Sequence, residues 1–147
     1  MWTLLTAFGL AVASALLPWV NAELILLAIA SPLTSALDLA FVVVAVTAGQ
    51  VTGKTVLYWM ARRAPQGSWT GRFAGVVERW RNACHGRPAS AQVMMLVSAV
   101  VGVPPFYVTT MAAGALRISF PRFLGAAVLG RLLHFAAVAA VPALWRL

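Results

Sequence analysis

Five side chains of a kind that bilayers disfavour, Glu23, Gln50, Lys54, Arg131 and His134, fall within long apolar runs. A charged group at the centre of a bilayer costs roughly 2.5–3.5 kcal/mol on insertion scales, so such residues are expected where a site needs them. Glu23 follows a break in the first apolar run, and a carboxyl there can carry a proton or anchor a cation. A simpler role is that of an acid at a helix start, favoured by the helix dipole. Arg131 lies eleven residues beyond Phe120, about 16 Å into a helix at 1.5 Å per residue. That is too deep to snorkel easily, so it calls for a carboxylate or a ligand anion, and Glu23 is the only deep acid on offer. His134, one helical turn on, can share that site or serve as an ordinary core histidine. Lys54 sits in Gly49-Gln-Val-Thr-Gly53-Lys54. It either contributes a buried cation or snorkels to the inner end of its span. Gly49 and Gly53, four apart, permit the close approach of another backbone. The spacing is not that of a phosphate-binding loop of the Walker type.

Enzyme chemistry is not expected. The three acids, Glu23, Asp38 and Glu78, are too few for a metal-bound phosphatase, and no Ser-His-acid set is evident. Cys84 and His85 are two adjacent candidate ligands where a metal site needs three or four, so no metal or cofactor is expected. A single cysteine also excludes an internal disulfide.

The elements that must position these residues are set by composition. Of 147 residues, 62% are hydrophobic and 10% charged, and the mean hydropathy is +0.89. A chain of this size cannot bury so much apolar side chain away from water, so an integral membrane protein is expected. Four apolar blocks run from Trp2 to Ala30, Leu39 to Ala61, Ala91 to Leu116 and Phe120 to Trp145. Each is long enough to cross a hydrocarbon core of about 30 Å. The first is broken at Pro18 and the third at Gly102-Val-Pro104-Pro105. Proline removes a helical hydrogen bond and clashes with the preceding turn. Two readings follow: kinked spanning helices, or re-entrant hairpins that enter and leave on one side.

Order and charge favour hairpins. Broken block, intact block, basic loop, broken block, intact block is an internal repeat, common in transport folds. The net charge is +8, and residues 62–87 hold Arg62, Arg63, Arg72, Arg79, Arg81 and Arg87, which places this loop in the cytoplasm. A re-entrant third block returns Arg117 and Arg122 to the same side, and the two hairpins then dip from opposite faces as an inverted repeat. The expected architecture is therefore all-α and integral to the membrane. Repeat one covers 1–63, a basic segment 64–88 and repeat two 89–147, in a single membrane domain. Within the basic segment Phe73, Val76, Val77 and Trp80 share a helical face, as in an amphipathic helix lying at the interface. Val20-Asn-Ala22 has the small residues of a signal cleavage site, but no basic stretch precedes it and apolar sequence follows.

Several stretches together resemble the DedA/VTT superfamily, also called SNARE-associated, in a short form. They are the broken first segment with Glu23 after its proline, Gly49-Gln-Val-Thr-Gly53-Lys-Thr-Val-Leu-Tyr58-Trp-Met-Ala-Arg62, and Gly102-Val-Pro-Pro105 with Ala113-Gly114, Phe120 and Gly130-Arg131. The resemblance covers about residues 14–135. It implies two opposed re-entrant hairpins plus spanning helices and the movement of lipids across the bilayer. Bacterial members are linked to undecaprenyl phosphate recycling and eukaryotic ones to phospholipid scrambling. By position, Glu23 resembles the hairpin acid and Arg131 a late basic residue. Lys54 stands where the family often has an acid, and the compact Pro-Gly-Glu is loosened to Pro18-Trp-Val-Asn-Ala-Glu23.

The expected function is thus a flippase or scramblase for an anionic, phosphate-bearing lipid in a bacterial plasma membrane, without nucleic acid as partner. A thin bundle of this length is expected to pair as a homodimer. The rival readings are a small proton-coupled exporter of cationic compounds, which deep Lys54 and Arg131 disfavour, and a membrane scaffold that transports nothing.

Overall fold

The computed structural model describes residues 1–17, 20–33, 35–65, 68 and 71–144, without the side chains at 72, 88 and 142–144. Pro18, Arg146 and the Arg72 side chain lie outside the described residues. Among those described the chain is all-helical: α1 (Trp2–Leu16), α2 (Ala22–Ala30), α3 (Ala36–Arg63), α4 (Gly71–Cys84), α5 (Pro88–Val101), α6 (Phe106–Ala115) and α7 (Phe120–Leu144). The first and third apolar blocks are each two helices: α1 ends at Leu16 and α2 begins at Ala22, and residues 102–105 separate α5 from α6.

Helix lengths separate the elements into two kinds. With 28 residues in α3 and 25 in α7, each exceeds the roughly 20 residues that a bilayer core requires. Both are apolar enough to span one. The others are too short: α1 has 15 residues, α2 has 9, α5 has 14 and α6 has 10. The order also repeats. From the start of α2 to that of α6, and from the start of α3 to that of α7, the numbering advances from 22 to 106 and from 36 to 120, 84 residues in each case.

Local signals account for the boundaries. Gly102 ends α5 in the left-handed region at φ 81°, where a Cβ would be strained. The turn after it contains a cis Val103–Pro104 peptide. The Ser98 hydroxyl donates to the Pro104 carbonyl at 2.6 Å and lies 2.8 Å from the Thr109 hydroxyl, which ties the interruption to α5 and α6. In α3, Asp38 in the first turn and Arg62 and Arg63 in the last match the helix dipole. Helix α6 ends in a Schellman motif: Ile118 N–H donates to the Ala113 carbonyl at 3.0 Å and Arg117 N–H to that of Gly114 at 2.9 Å. Its left-handed residue is Arg117, at φ 53°, where glycine is usual. A side chain in this conformation costs roughly 1–2 kcal/mol.

The helices form two compact units, the first from Met1–Gly53 with α7 from Arg131 on, the second from Lys54–Gly130. In the first, α1 packs against α2 and crosses α3 at its glycines. A Cβ at Gly49 would fall on the Phe8 carbonyl and lie 2.8 Å from the Ala11 Cβ; one at Gly53 would lie 2.5 Å from the Ala15 Cβ. Ala7, Ala11, Leu26, Val42, Val43, Val46, Phe135 and Ala139 make the core. In the second unit α5 packs against α6, and α4 against both. Gly114 meets the Tyr58 carbonyl and Ala61, and Gly130 meets Ala99. Tyr58 stacks on Phe123 with ring centroids 4.7 Å apart.

The α4 helix forms where the apolar spacing implied one, and its apolar face is used inside its own unit. Val77 and Trp80 are buried, whereas Arg79 and Arg81 are exposed. Trp80→Ala should therefore destabilise the second unit by about 3–5 kcal/mol, the usual cost of deleting a buried large aromatic. Thermal unfolding in detergent measures it, and an unchanged midpoint would mean that α4 is not packed. Elsewhere the outward side chains are themselves apolar, among them Leu5, Leu10, Phe41, Val44, Met60, Val97, Leu129 and Leu133, as expected of helices solvated by lipid.

Candidate functional site

The first unit gathers three of the five candidate side chains. Asn21 caps α2: its side-chain oxygen accepts from the N–H groups of Glu23 at 2.8 Å and Leu24 at 3.4 Å. The cap satisfies otherwise orphaned donors and fixes Glu23 in the first helical turn, where the dipole favours a carboxylate. His134 Nε2 of α7 lies 2.9 Å from Glu23 Oε1. An ionised carboxylate can only accept, so in that state the ring carries its proton on Nε2. The side chains differ in exposure, 13% for His134 and 46% for Glu23. The imidazole also meets the Phe135 ring edge-on, centroids 5.3 Å apart. Arg131, a turn before His134, places its guanidinium carbon 5.7 Å from the centroid of the same ring. Glu23 is the acid whose charge reaches it.

This arrangement brings a half-exposed carboxylate to an imidazole and a guanidinium on one long helix. The bases are held by α7, and the acid comes from the short helix α2. Chemically it is one carboxylate set against two basic side chains, with the closest contact made to His134 Nε2.

Gln50 is engaged elsewhere in the unit. It is buried, and its amide donates to the Ala11 carbonyl at 3.3 Å and to the Ser14 hydroxyl at 2.6 Å, both on α1. These bonds lock α1 to α3 beside the Gly49 crossing.

Lys54 belongs to the second unit. It is buried, with its ammonium 5.3 Å from the centroid of the Tyr107 ring, a cation–π distance. Sequence reasoning passed over Tyr107. It is the second residue of α6, as Glu23 is of α2, and the two are 84 positions apart. Superposing the halves at that offset was the available signal. Each unit thus has a residue in the first turn of a short helix that touches a basic side chain on a long helix. In the same unit the Tyr58 hydroxyl donates to the Ile118 carbonyl. Arg62 Nη1 donates to that carbonyl at 3.1 Å and to the Tyr58 oxygen at 2.7 Å. The turn after α6 is therefore held by a tyrosine and an arginine that lie one turn apart on α3.

Pro104 and Pro105 form the interruption between α5 and α6, with Pro105 at the N-cap of α6. Among the described residues no group of three or more His, Cys, Asp or Glu side chains could hold a metal ion.

No curated protein and no solved structure matches the chain. The VTT domain, however, matches residues 20–143, a stretch that takes in both long helices, both short helices after the breaks, and Glu23, Lys54, Arg131 and His134 alike. With two helices long and apolar enough to span a bilayer and polar side chains collected on them, the chain is a membrane protein that belongs to the VTT-domain, or DedA/SNARE-associated, family.

Proposed function

We propose that the protein moves an anionic, phosphate-bearing lipid across the bilayer, as a transporter rather than an enzyme. The observation that carries this reading is the cluster of Glu23, His134 and Arg131 in the first unit, in which α7 holds two bases and a half-exposed acid compensates them. A phosphate headgroup would supply the guanidinium with an oxyanion in place of the nearby Glu23 charge, since arginine pairs with carboxylate and phosphate in the same forked geometry. Glu23 restores the pairing once the lipid leaves. Lys54 and Tyr107 supply the corresponding basic contact in the second unit. A flip assay in liposomes comparing the wild type with Arg131→Ala and Glu23→Gln tests the reading, and unchanged rates would sink it.

The pairs α1–α2 and α5–α6 are proposed as re-entrant hairpins, related as an inverted repeat. The short helices support this, because none reaches across a bilayer core. Further support is that Ala91 of α5 and Arg117, just past α6, line one cavity. The basic segment 62–87 then faces the cytoplasm of a bacterial plasma membrane, and two copies are proposed to pair. In a Cys84→Ser background, Ser90→Cys and Arg117→Cys should be labelled from the same side by an impermeant maleimide. Labelling from opposite sides means that α5–α6 crosses the membrane.

A further inference from the structure

The second unit contains a cavity of about 500 Å³ that the transport reading does not use. Small-molecule sites span roughly 300–1,000 Å³. Arg81, Cys84 and His85 line it from the end of α4, Arg117 from the turn after α6, Arg122 from the start of α7, and Ala91 from α5. Three arginines and a histidine, all solvent-exposed, are among its lining residues, and no Asp or Glu is. Glu78 pairs with Arg81 at 2.6 Å, both side chains being more than half exposed, and among the described residues no acid pairs with Arg117 or Arg122.

Arg117 bears most directly on what this cavity does. It occupies the left-handed position of the Schellman motif, where glycine is easier and most side chains are strained. The carbonyls of Ala113 and Gly114 at the end of α6 are already bonded by the N–H groups of Ile118 and Arg117, so that end does not require the Arg117 side chain. Backbone strain held in place by its surroundings points to a use for the side chain. Here that side chain faces a cavity shared with two further arginines.

We infer that this cavity binds a phosphate group, as inorganic phosphate or as the headgroup of a phosphomonoester lipid. Planar guanidinium forks on several sides match the oxygens of a phosphate. The bound anion relieves the mutual repulsion of the arginines. The inference does not depend on the transport reading, since Arg117 and Arg122 lie in the other unit from Glu23, His134 and Arg131.

Cys84 provides the test, as the only cysteine in the chain. It lines the cavity, and burial pushes its thiol pKa up, so labelling is followed in mildly alkaline buffer. The protein is held in maltoside micelles, which contain no phosphate, and the rate of N-ethylmaleimide addition is followed by mass spectrometry. In one arm potassium phosphate is compared with potassium chloride at equal ionic strength. In the other, micelles doped with phosphatidate are compared with micelles doped with diacylglycerol. Occupancy of the cavity should slow labelling by about threefold or more, as expected when ligand exceeds its dissociation constant a few times.

Slowing by inorganic phosphate assigns the free anion as a ligand. Slowing by phosphatidate alone assigns the lipid headgroup. No slowing in either arm, or equal slowing by chloride, overturns the inference. The double variant Arg117→Gly and Arg122→Gln should lose the protection. Glycine suits the positive φ at 117, so the variant is expected to fold, and protection that persists in it would overturn the role given to the arginines.

Discussion

Arg131→Ala and Glu23→Gln are each expected to slow lipid flipping in liposomes by about ten- to a hundredfold. A hydrogen bond to a charged group contributes about 1.5–3 kcal/mol, and each 1.4 kcal/mol is a factor of ten in rate. The two variants act through opposite ends of one contact set. Arg131→Ala removes the cation that would hold the headgroup. Glu23→Gln removes the internal anion that occupies the site between cycles, and leaves His134 facing a neutral amide at the 2.9 Å contact. Arg131→Lys keeps the charge but loses the fork, so partial activity is expected from it. A structural role alone would make all three variants equally unstable, so melting temperatures measured alongside separate the cases. Full activity of Arg131→Ala in a protein of normal stability would remove the basis for the transport reading.

Gly53→Val and Gly49→Val should be the most damaging apolar substitutions in the first unit. Overpacking usually costs about 1–3 kcal/mol, and more when backbone must shift. At Gly49 the obstruction is the Phe8 carbonyl itself, which cannot turn away as a side chain would. At Gly53 it is the Ala15 Cβ at 2.5 Å and the Val12 carbonyl at 3.0 Å. Either valine must push α1 off α3 and stretch the Gln50 bonds to Ala11 and Ser14. Gly125 is the internal control, since nothing lies within 4 Å of a Cβ there. Gly125→Ala on α7 should be neutral, or stabilising by up to about 1 kcal/mol from helix propensity. Thermal stability read by fluorescence-detected size exclusion in detergent compares them. A Gly53→Val protein that melts with the wild type would mean that α1 does not approach α3 at this point.

Features that depend on local order were legible along the chain. Apolar content required a membrane, and the proline and glycine positions interrupted two of the four blocks. The 3.6-residue spacing of Phe73, Val76, Val77 and Trp80 made α4 a helix with one apolar face. Gly49 and Gly53 marked a place where a backbone could come close. Each of these is carried by residues within a few turns of one another, so one strand of text contains it.

The partners of these groups emerge from packing in three dimensions. Glu23 meets His134 across 111 positions, and Gln50 turns to Ser14 rather than into the charged cluster. Lys54 lies over Tyr107, and the α4 face closes on α5 and α6. Arg117 and Arg122, readable in the sequence only as orienting charges, surround a cavity with Arg81 and His85. The reason is that a lipid-embedded helix is apolar on nearly every side, so its sequence does not mark which face turns inward. That choice is made by where small residues let helices cross and by which polar groups find each other once they have.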